Sequence, residues 1–400
     1  MSDVDDLRDA WDRWCTTVRD AGRRVLDGEV VEVDDPRELA EALRASVRMA
    51  MAALQQRMEF NDPDFPRFFR ALDDRYKYAG PDVHITYLSA AVRGDANYRI
   101  TGRHHGREMN LGRLWSAELE TDEDGGFEII AGASAHAGNW IPLDPAATDV
   151  TSVPAMYPMA AGALGGRFYF WDPDDHRPLE LHIERIDADR PDRPAALSAS
   201  LLADQLGGAG ELTEAMVGWW LRRAQRIREE NEPNVVGPPG VRPPGVPGFE
   251  PPAGSPLNYG VCCWELDAGG ALVVETDVPE VTYWSFQLYN PWWESPDHQH
   301  RQTSIGHTHA HLDDDGRFRA VLAAEDPGVP NWLDTGGGRR GFLFYRWFRP
   351  TSPMPTPTAI TCRIEDVRDH LPDTHPRVTG EQRRRDLADR NAWLARRFQG

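Results

Sequence analysis

Apolar residues recur at helical spacing in the opening segment. From roughly Asp6 to Leu26, Trp11, Trp14, Val18 and Val25 predict an amphipathic helix whose large side chains pack inward. A second helix is predicted from Asp35, a residue able to cap, followed by Pro36, which suits a first turn. From about Pro81 the period shortens. VHITYLSAAV, NYRITG, GRFYFWD and LELHIERI read as short strands separated by Gly, Asp and Pro turns. A helical pattern returns from about Glu211 to Glu230, carrying Met216, Val217, Trp219, Trp220 and Leu221.

Residues 233–256 contain nine prolines and five glycines, so they continue neither a helix nor a central strand and read as a linker or a strap across a surface. Beyond them, YGVCCWEL, ALVVETDV, VTYWSFQLY, QTSIGHTHAHLD, RFRAVLAAED, GFLFYRWF and AITCRIEDV are strand candidates at the spacing of antiparallel sandwiches, with DDDG at Asp313 to Gly316 as a hairpin turn. A charged helix closes the chain from about Thr379 to Phe398. The expected class is α+β, mainly β. The expected parts are a helical segment 1–80, a β-rich half with a closing helix 81–232, the Pro/Gly-rich stretch 233–256, a β-sandwich 257–365 and a C-terminal helix within 366–400.

The C-terminal strings carry a family resemblance. YWSFQLYNPWWES, RQTSIG, DPGVPNWLDTGG and GFLFYRWF resemble the domain-of-unknown-function family numbered 1214, often found beside the one numbered 1254. DPGVPNWLDT, Asp326 to Thr335, is the most specific string, and the resemblance covers roughly Tyr259 to Arg349, with a weaker extension over Pro81 to Ile186. It implies a jelly-roll-like β-sandwich with attached helices, and members with both domains look like cytoplasmic or exported bacterial proteins built around bowl-shaped oligomers. It supplies no catalytic residues. The chain departs from the family's mixed polar residues at 307–311, where it reads HTHAH.

Composition narrows the partners. With 400 residues and 40% hydrophobic content the chain can bury a large core, and a formal charge of -20 disfavours nucleic acid and anionic membranes. The acidic start and the lack of a long apolar run point to a soluble, cytoplasmic protein. Cys15, Cys262, Cys263 and Cys362 fit neither a disulfide framework nor a paired zinc motif and are expected to be mostly reduced core residues. Lys77, the only lysine, lies in DDRYKYAG and reads as solvated, which argues against Schiff-base chemistry.

Several residues could carry chemistry. His307, His309 and His311 alternate on a predicted strand, so an adjacent pair such as His307 and His309 could share a divalent zinc, iron or manganese ion with Glu294, Asp297, His298 or His300. A solvent-facing, histidine-rich strand is the plainer alternative. Arg346 interrupts an apolar strand and needs a partner, for which Asp334 or Glu294 would serve, the structural ion pair being preferred over an anion site. Trp284, Trp292, Trp293 and Trp332 gather on the loops beside these groups, and at least half of them are expected only to fill a sandwich core.

DDLRD at Asp5 to Asp9 is the polar face of a helix rather than a metal motif. The calcium-loop reading of DDDG lacks the later carboxylate. No nucleophile elbow, Walker loop or dinucleotide fingerprint is present, so no nucleotide cofactor is expected.

The expectation is an enzyme acting on a small apolar or glycosylated metabolite in an aromatic pocket, with metal assistance an option. Glu294, His298, Asp334 and Arg346 are its catalytic or supporting candidates, Tyr283, Trp292, Trp293, Asn331 and Trp332 its binding candidates, and His307 with His309 its metal candidates. The alternative is a noncatalytic small-molecule-binding or assembly module, with a homo-oligomer as the expected partner state.

Overall fold

The computed structural model describes residues 3–147, 162–172, 174–175, 177–240 and 256–398. Asp35 accepts a hydrogen bond from the Arg37 N–H at 2.8 Å and Pro36 sits in the first turn, so the sequence signal at that helix start is realised. The helices are α1 (Asp3–Leu26), α2 (Pro36–Glu59), α3 (Ala199–Glu230) and α4 (Gly380–Phe398). In α1 Val25 is buried, but Trp11 is 54% exposed, contrary to its expected inward packing. Helix α3 begins at the Ser198 cap, well before Glu211. The run Gly207, Gly208 and Gly210 disguised this. A Cβ at Gly210 or Gly208 would make only ordinary contact with Thr17 of α1 or Arg57 of α2, and one at Gly207 would meet open space, so the run is compatible with a continuous helix.

The strands, in order, are β1 (Phe69–Leu72), β2 (Ile85–Ala91), β3 (Tyr98–Arg103), β4 (Met109–Leu111), β5 (Leu114–Trp115), β6 (Gly126–Gly132), β7 (Trp140–Pro142), β8 (Ala163–Tyr169), β9 (Glu180–Arg185), β10 (Leu257–Glu265), β11 (Gly270–Thr276), β12 (Tyr283–Tyr289), β13 (Ser304–Gly306), β14 (Phe318–Ala323), β15 (Trp332–Asp334), β16 (Arg340–Phe348) and β17 (Thr358–Arg363). Sheets β1-β2-β8-β4-β5 and β7-β6-β3-β9 face each other across a core that includes Leu88, Tyr98, Ile129 and Phe168. Sheets β10-β16-β12-β13 and β15-β14-β11-β17 do the same across Trp264, Leu272, Phe286 and Leu343.

Most pairings are antiparallel, but β6–β7 and β14–β15 are parallel, so the architecture is mixed and mainly β. Among the described residues the sheets stay open and no barrel closes. No helix is long and apolar enough to cross a membrane.

Strand β16 shows why its sequence reads as an almost unbroken apolar run. Leu343, Tyr345 and Trp347 point into the sandwich, while Phe342 and Phe344 point into a second core shared with α2 and α3. Arg346 therefore faces away from the sandwich, among the N-terminal segments. Its neighbour β12 alternates likewise, with Trp284, Phe286 and Leu288 inside the sandwich and Tyr283, Ser285 and Gln287 on the other face.

Of the Pro/Gly-rich stretch, residues 241–255 lie outside the described residues. The preceding part runs as a strap along β10, with bridges from Val236 to Cys262 and from Gly240 to Tyr259.

Candidate functional site

A closed polar network fills the space under β12 and β16. Asp82 and His84, just before β2, are fully buried there with Tyr283, Ser285 and Arg346. The Tyr283 and Ser285 hydroxyls donate to Asp82 Oδ2 at 2.8 and 2.9 Å, and the His84 backbone N–H donates to Oδ1 at 2.8 Å. His84 Nδ1 lies 3.1 Å from Asp82 Oδ1 and 3.0 Å from the Tyr283 hydroxyl. Arg346 Nε stands 3.7 Å from Asp82 Oδ2, while its Nη2 donates to the Gly80 carbonyl at 2.9 Å and to the Tyr289 hydroxyl at 3.0 Å.

Burial alone would raise the Asp82 pKa, but the His84 hydrogen bond and the Arg346 charge outweigh it and hold the carboxyl well below its usual range. Burial drives the Tyr283 phenol well above its normal value, so it stays a donor. Glycine at 306 is needed here, since a Cβ would stand 2.8 Å from the His84 ring.

Arg346 thus has an ion-pair partner, as its strand demands, but the partner is Asp82 and neither Asp334 nor Glu294. Asp334 instead binds Arg301 at 2.8 Å and caps the Gly336 N–H at 2.7 Å. Glu294, also fully buried, pairs with Arg48 of α2 at 3.0 Å. Lys77 is buried rather than solvated, and desolvation, reinforced by the Arg48 charge, lowers its pKa.

The tryptophans expected to wall a pocket are packing residues. Trp292 is fully buried, and its indole N–H donates to the Glu38 carbonyl at 2.8 Å. Trp293 stacks on Phe344 with ring centroids 5.4 Å apart, and the Trp332 N–H donates to the Ala323 carbonyl at 3.0 Å. Asn331 clamps two segments, accepting from the His311 N–H at 2.9 Å and donating to the His311 and Arg319 carbonyls at 2.7 and 2.8 Å. His298 is buried, and its carbonyl accepts from Arg390 of α4 at 2.9 Å.

The histidine ribbon also departs from expectation. Strand β13 ends at Gly306 and residues 307–309 form a turn, so the three histidines do not share a strand face. His307 packs edge-on to Tyr283 and Trp171, whereas His309 lies against His84 and Trp393 of α4. Burial lowers the His309 pKa to about 4, which keeps that imidazole neutral. Among the described residues, the group with metal-ligand spacing is His311, Asp313 and His375, to which His307 and His309 do not belong.

Among the described residues, two cavities are lined by other side chains than these. One cavity, of about 360 Å³, lies between the first sandwich and α4. Its wall is aromatic and aliphatic, from Phe68, Phe69, Phe170, Leu88, Leu181 and Trp393, with Arg70, Arg177 and Arg396 against a single acid, Asp175. Although partial burial opposes it, hydrogen bonds from Arg177 and Arg107 hold the Asp175 carboxyl well below its usual range. Burial pulls the Arg70 guanidinium below its usual value.

A larger open cleft, of about 1160 Å³, lies between the α1–α2 connection and the edge of the second sandwich. It is polar, with Glu32, Asp34, Glu38 and Asp267 facing Arg339, Arg340 and Arg363.

Sequence reasoning missed Asp82 and His84, whose only local signal is the string PDVH ahead of a strand. It also missed the α4 wall of the 360 Å³ cavity. A lone tryptophan, Trp393, on an otherwise charged helix was the available clue.

The chain superposes on the crystal structure of an uncharacterised protein from Burkholderia cenocepacia with a TM-score of 0.75 and 29% identity, covering 89% of this chain and 97% of that one. A Vibrio parahaemolyticus protein superposes at a TM-score of 0.42 with 12% identity, covering 80% of this chain and 99% of that one. No curated protein matches the sequence. Residues 269–352, which run from the start of β11 past the end of β16, match the family described as Protein of unknown function (DUF1214), the family to which their aromatic strings point.

Proposed function

We propose that the protein binds a small apolar organic anion, such as an aryl or alkyl carboxylate, in the 360 Å³ cavity between the first sandwich and α4. The observation that carries this reading is the pairing of an aromatic wall with an excess of arginine in a chain of net charge -20. The volume lies at the small end of ligand pockets, about 300–1,000 Å³. Apolar burial supplies affinity there, and a guanidinium orients the carboxylate.

Binding is favoured over turnover because Asp175 is the one carboxylate in the described lining, and it is already engaged by Arg107 and Arg177. His84 and His309 stand behind the Trp393 ring rather than in the lining. The residues that favoured an enzyme, Glu294, His298 and Asp334, are held in ion pairs and backbone contacts elsewhere.

Calorimetric titration with phenylacetate, octanoate and neutral phenylacetamide tests the proposal. The acids should bind and the amide should bind far more weakly. An Arg177→Ala/Arg396→Ala double variant, both sites being exposed, should lose about tenfold or more in affinity for the acids. No heat with either acid, or equal binding of phenylacetate and phenylacetamide, would refute it.

A further inference from the structure

The loop between β13 and β14 meets the segment before α4 at a point that neither the polar network nor the anion cavity uses. His311 lies on that loop, Asp313 opens the hairpin turn, and His375 comes from sixty-two positions later in the chain. One ligating atom from each lies within 4.8 Å of the others. We propose that His311, Asp313 and His375 form a mononuclear site for a divalent transition-metal ion, with zinc as the best-fitting probe.

The donor set is two imidazoles and one carboxylate, which suits zinc, iron(II) or manganese(II) with an open position for water. Access for that water is available, because the His311 side chain is one-third exposed while those of Asp313 and His375 are almost wholly buried.

The ring nitrogens support the assignment. His375 Nδ1 lies 2.6 Å from Asp313 Oδ1, and His311 Nε2 lies 3.5 Å from the same oxygen. Nε2 of His311, the atom that faces Asp313, is buried and makes no hydrogen bond. Such a group is costly to leave unsatisfied. Bonds of about 2.0–2.1 Å to a tetrahedral zinc place ligand atoms roughly 3.3 Å apart. The His311–Asp313 separation already matches that. The His375–Asp313 contact must open by about 0.7 Å, with the imidazole proton moving to Nε2.

The surroundings hold the ligands in place. Asn331 grips the His311 backbone from both sides, Arg319 Nη1 donates to Asp313 Oδ2 at 2.8 Å, and Arg368 Nη2 donates to the His375 carbonyl at 2.9 Å. The Arg319 charge is shared with Glu275 and Asp315, so it does not cancel the negative field of the turn. Outer contacts of this kind fix ligand orientation in metal sites.

The test uses the full chain, stripped with a chelator and titrated with cobalt(II) and zinc(II). One equivalent of cobalt should bind with a visible d–d band, and zinc should displace it. His311→Ala, at a loop position one-third exposed, should weaken binding by more than about 100-fold, since even outer-shell losses cost about 10–100-fold. His307→Ala/His309→Ala should bind as the wild type does. If His311→Ala does not fold, anomalous scattering at the zinc edge from soaked wild-type crystals gives an independent answer. Failure of the wild type to bind one equivalent, undiminished binding by folded His311→Ala, or zinc located away from these three residues would overturn the proposal.

Discussion

Replacing Arg346 with methionine removes the cation from the network beneath β16 and leaves the Asp82 carboxylate behind. The loss has two parts. Removing one partner of a buried ion pair costs about 3–5 kcal/mol, because the remaining charge is uncompensated. Here the figure belongs near the lower end, since the Arg346–Asp82 contact is 3.7 Å and Asp82 keeps the Tyr283, Ser285 and His84 donors. The Gly80 carbonyl also loses its guanidinium donor, a buried loss of about 1–3 kcal/mol that overlaps the first term. A net destabilisation of about 3–4 kcal/mol is expected, a large share of a typical total of about 5–15 kcal/mol.

Urea unfolding followed by tryptophan fluorescence and circular dichroism measures it. A double-mutant cycle with Asp82→Asn isolates the pair, whose coupling should lie at about 0.5–3 kcal/mol. The pH dependence has a definite sign. The folded Asp82 pKa is depressed, so its contribution is fully present above the unfolded value of about 3.9 and fades as pH falls towards the lower folded value. Asp82→Asn should therefore differ most from wild type above about pH 4 and converge on it in stronger acid. An Arg346→Met variant within about 0.5 kcal/mol of wild type would refute the reasoning, because that is the range of an ordinary surface substitution.

Two other outcomes follow from buried polar groups. Lys77 should resist acylation by amine reagents in the native protein and react fully after denaturation, as peptide mapping by mass spectrometry would show, and equal labelling in both states would contradict its burial. Asn331→Ala removes three side-chain hydrogen bonds, two of which hold His311 and one of which reaches β14, and should cost at least about 2 kcal/mol in urea unfolding.

Local signals carried the fold further than the site. The Asp35–Pro36 helix start, the hairpin at Asp313 to Gly316 and the strand at VTYWSFQLY depend on neighbouring residues, and each appears as the sequence indicates. Arg346 had to find a counter-ion, which the composition of β16 already implied, but the choice of Asp82 depends on a contact across 264 positions of chain, for which no local pattern exists. For Trp292 and Trp293 the sequence leaves pocket wall and core filler open, because indoles on a loop serve surfaces and cores equally well. The deciding fact, that α2 and α3 cover them, belongs to tertiary packing. The histidine ribbon failed for a related reason. Alternation on paper presumed an extended backbone through residue 311, and the chain turns at His307 instead.

Helix α4 gives the molecule an order of completion. Trp393 closes the cavity beside the first sandwich and touches His84 and His309, while Arg390 and Arg383 reach residues 298, 304 and 326 of the second half. A chain emerging from the ribosome therefore makes the strands around β2 several hundred residues before it makes their lid. Until α4 is synthesised, the aromatic wall at Phe68, Phe69 and Phe170 has no cover, so the nascent first half should be the stage at which this protein most needs a chaperone.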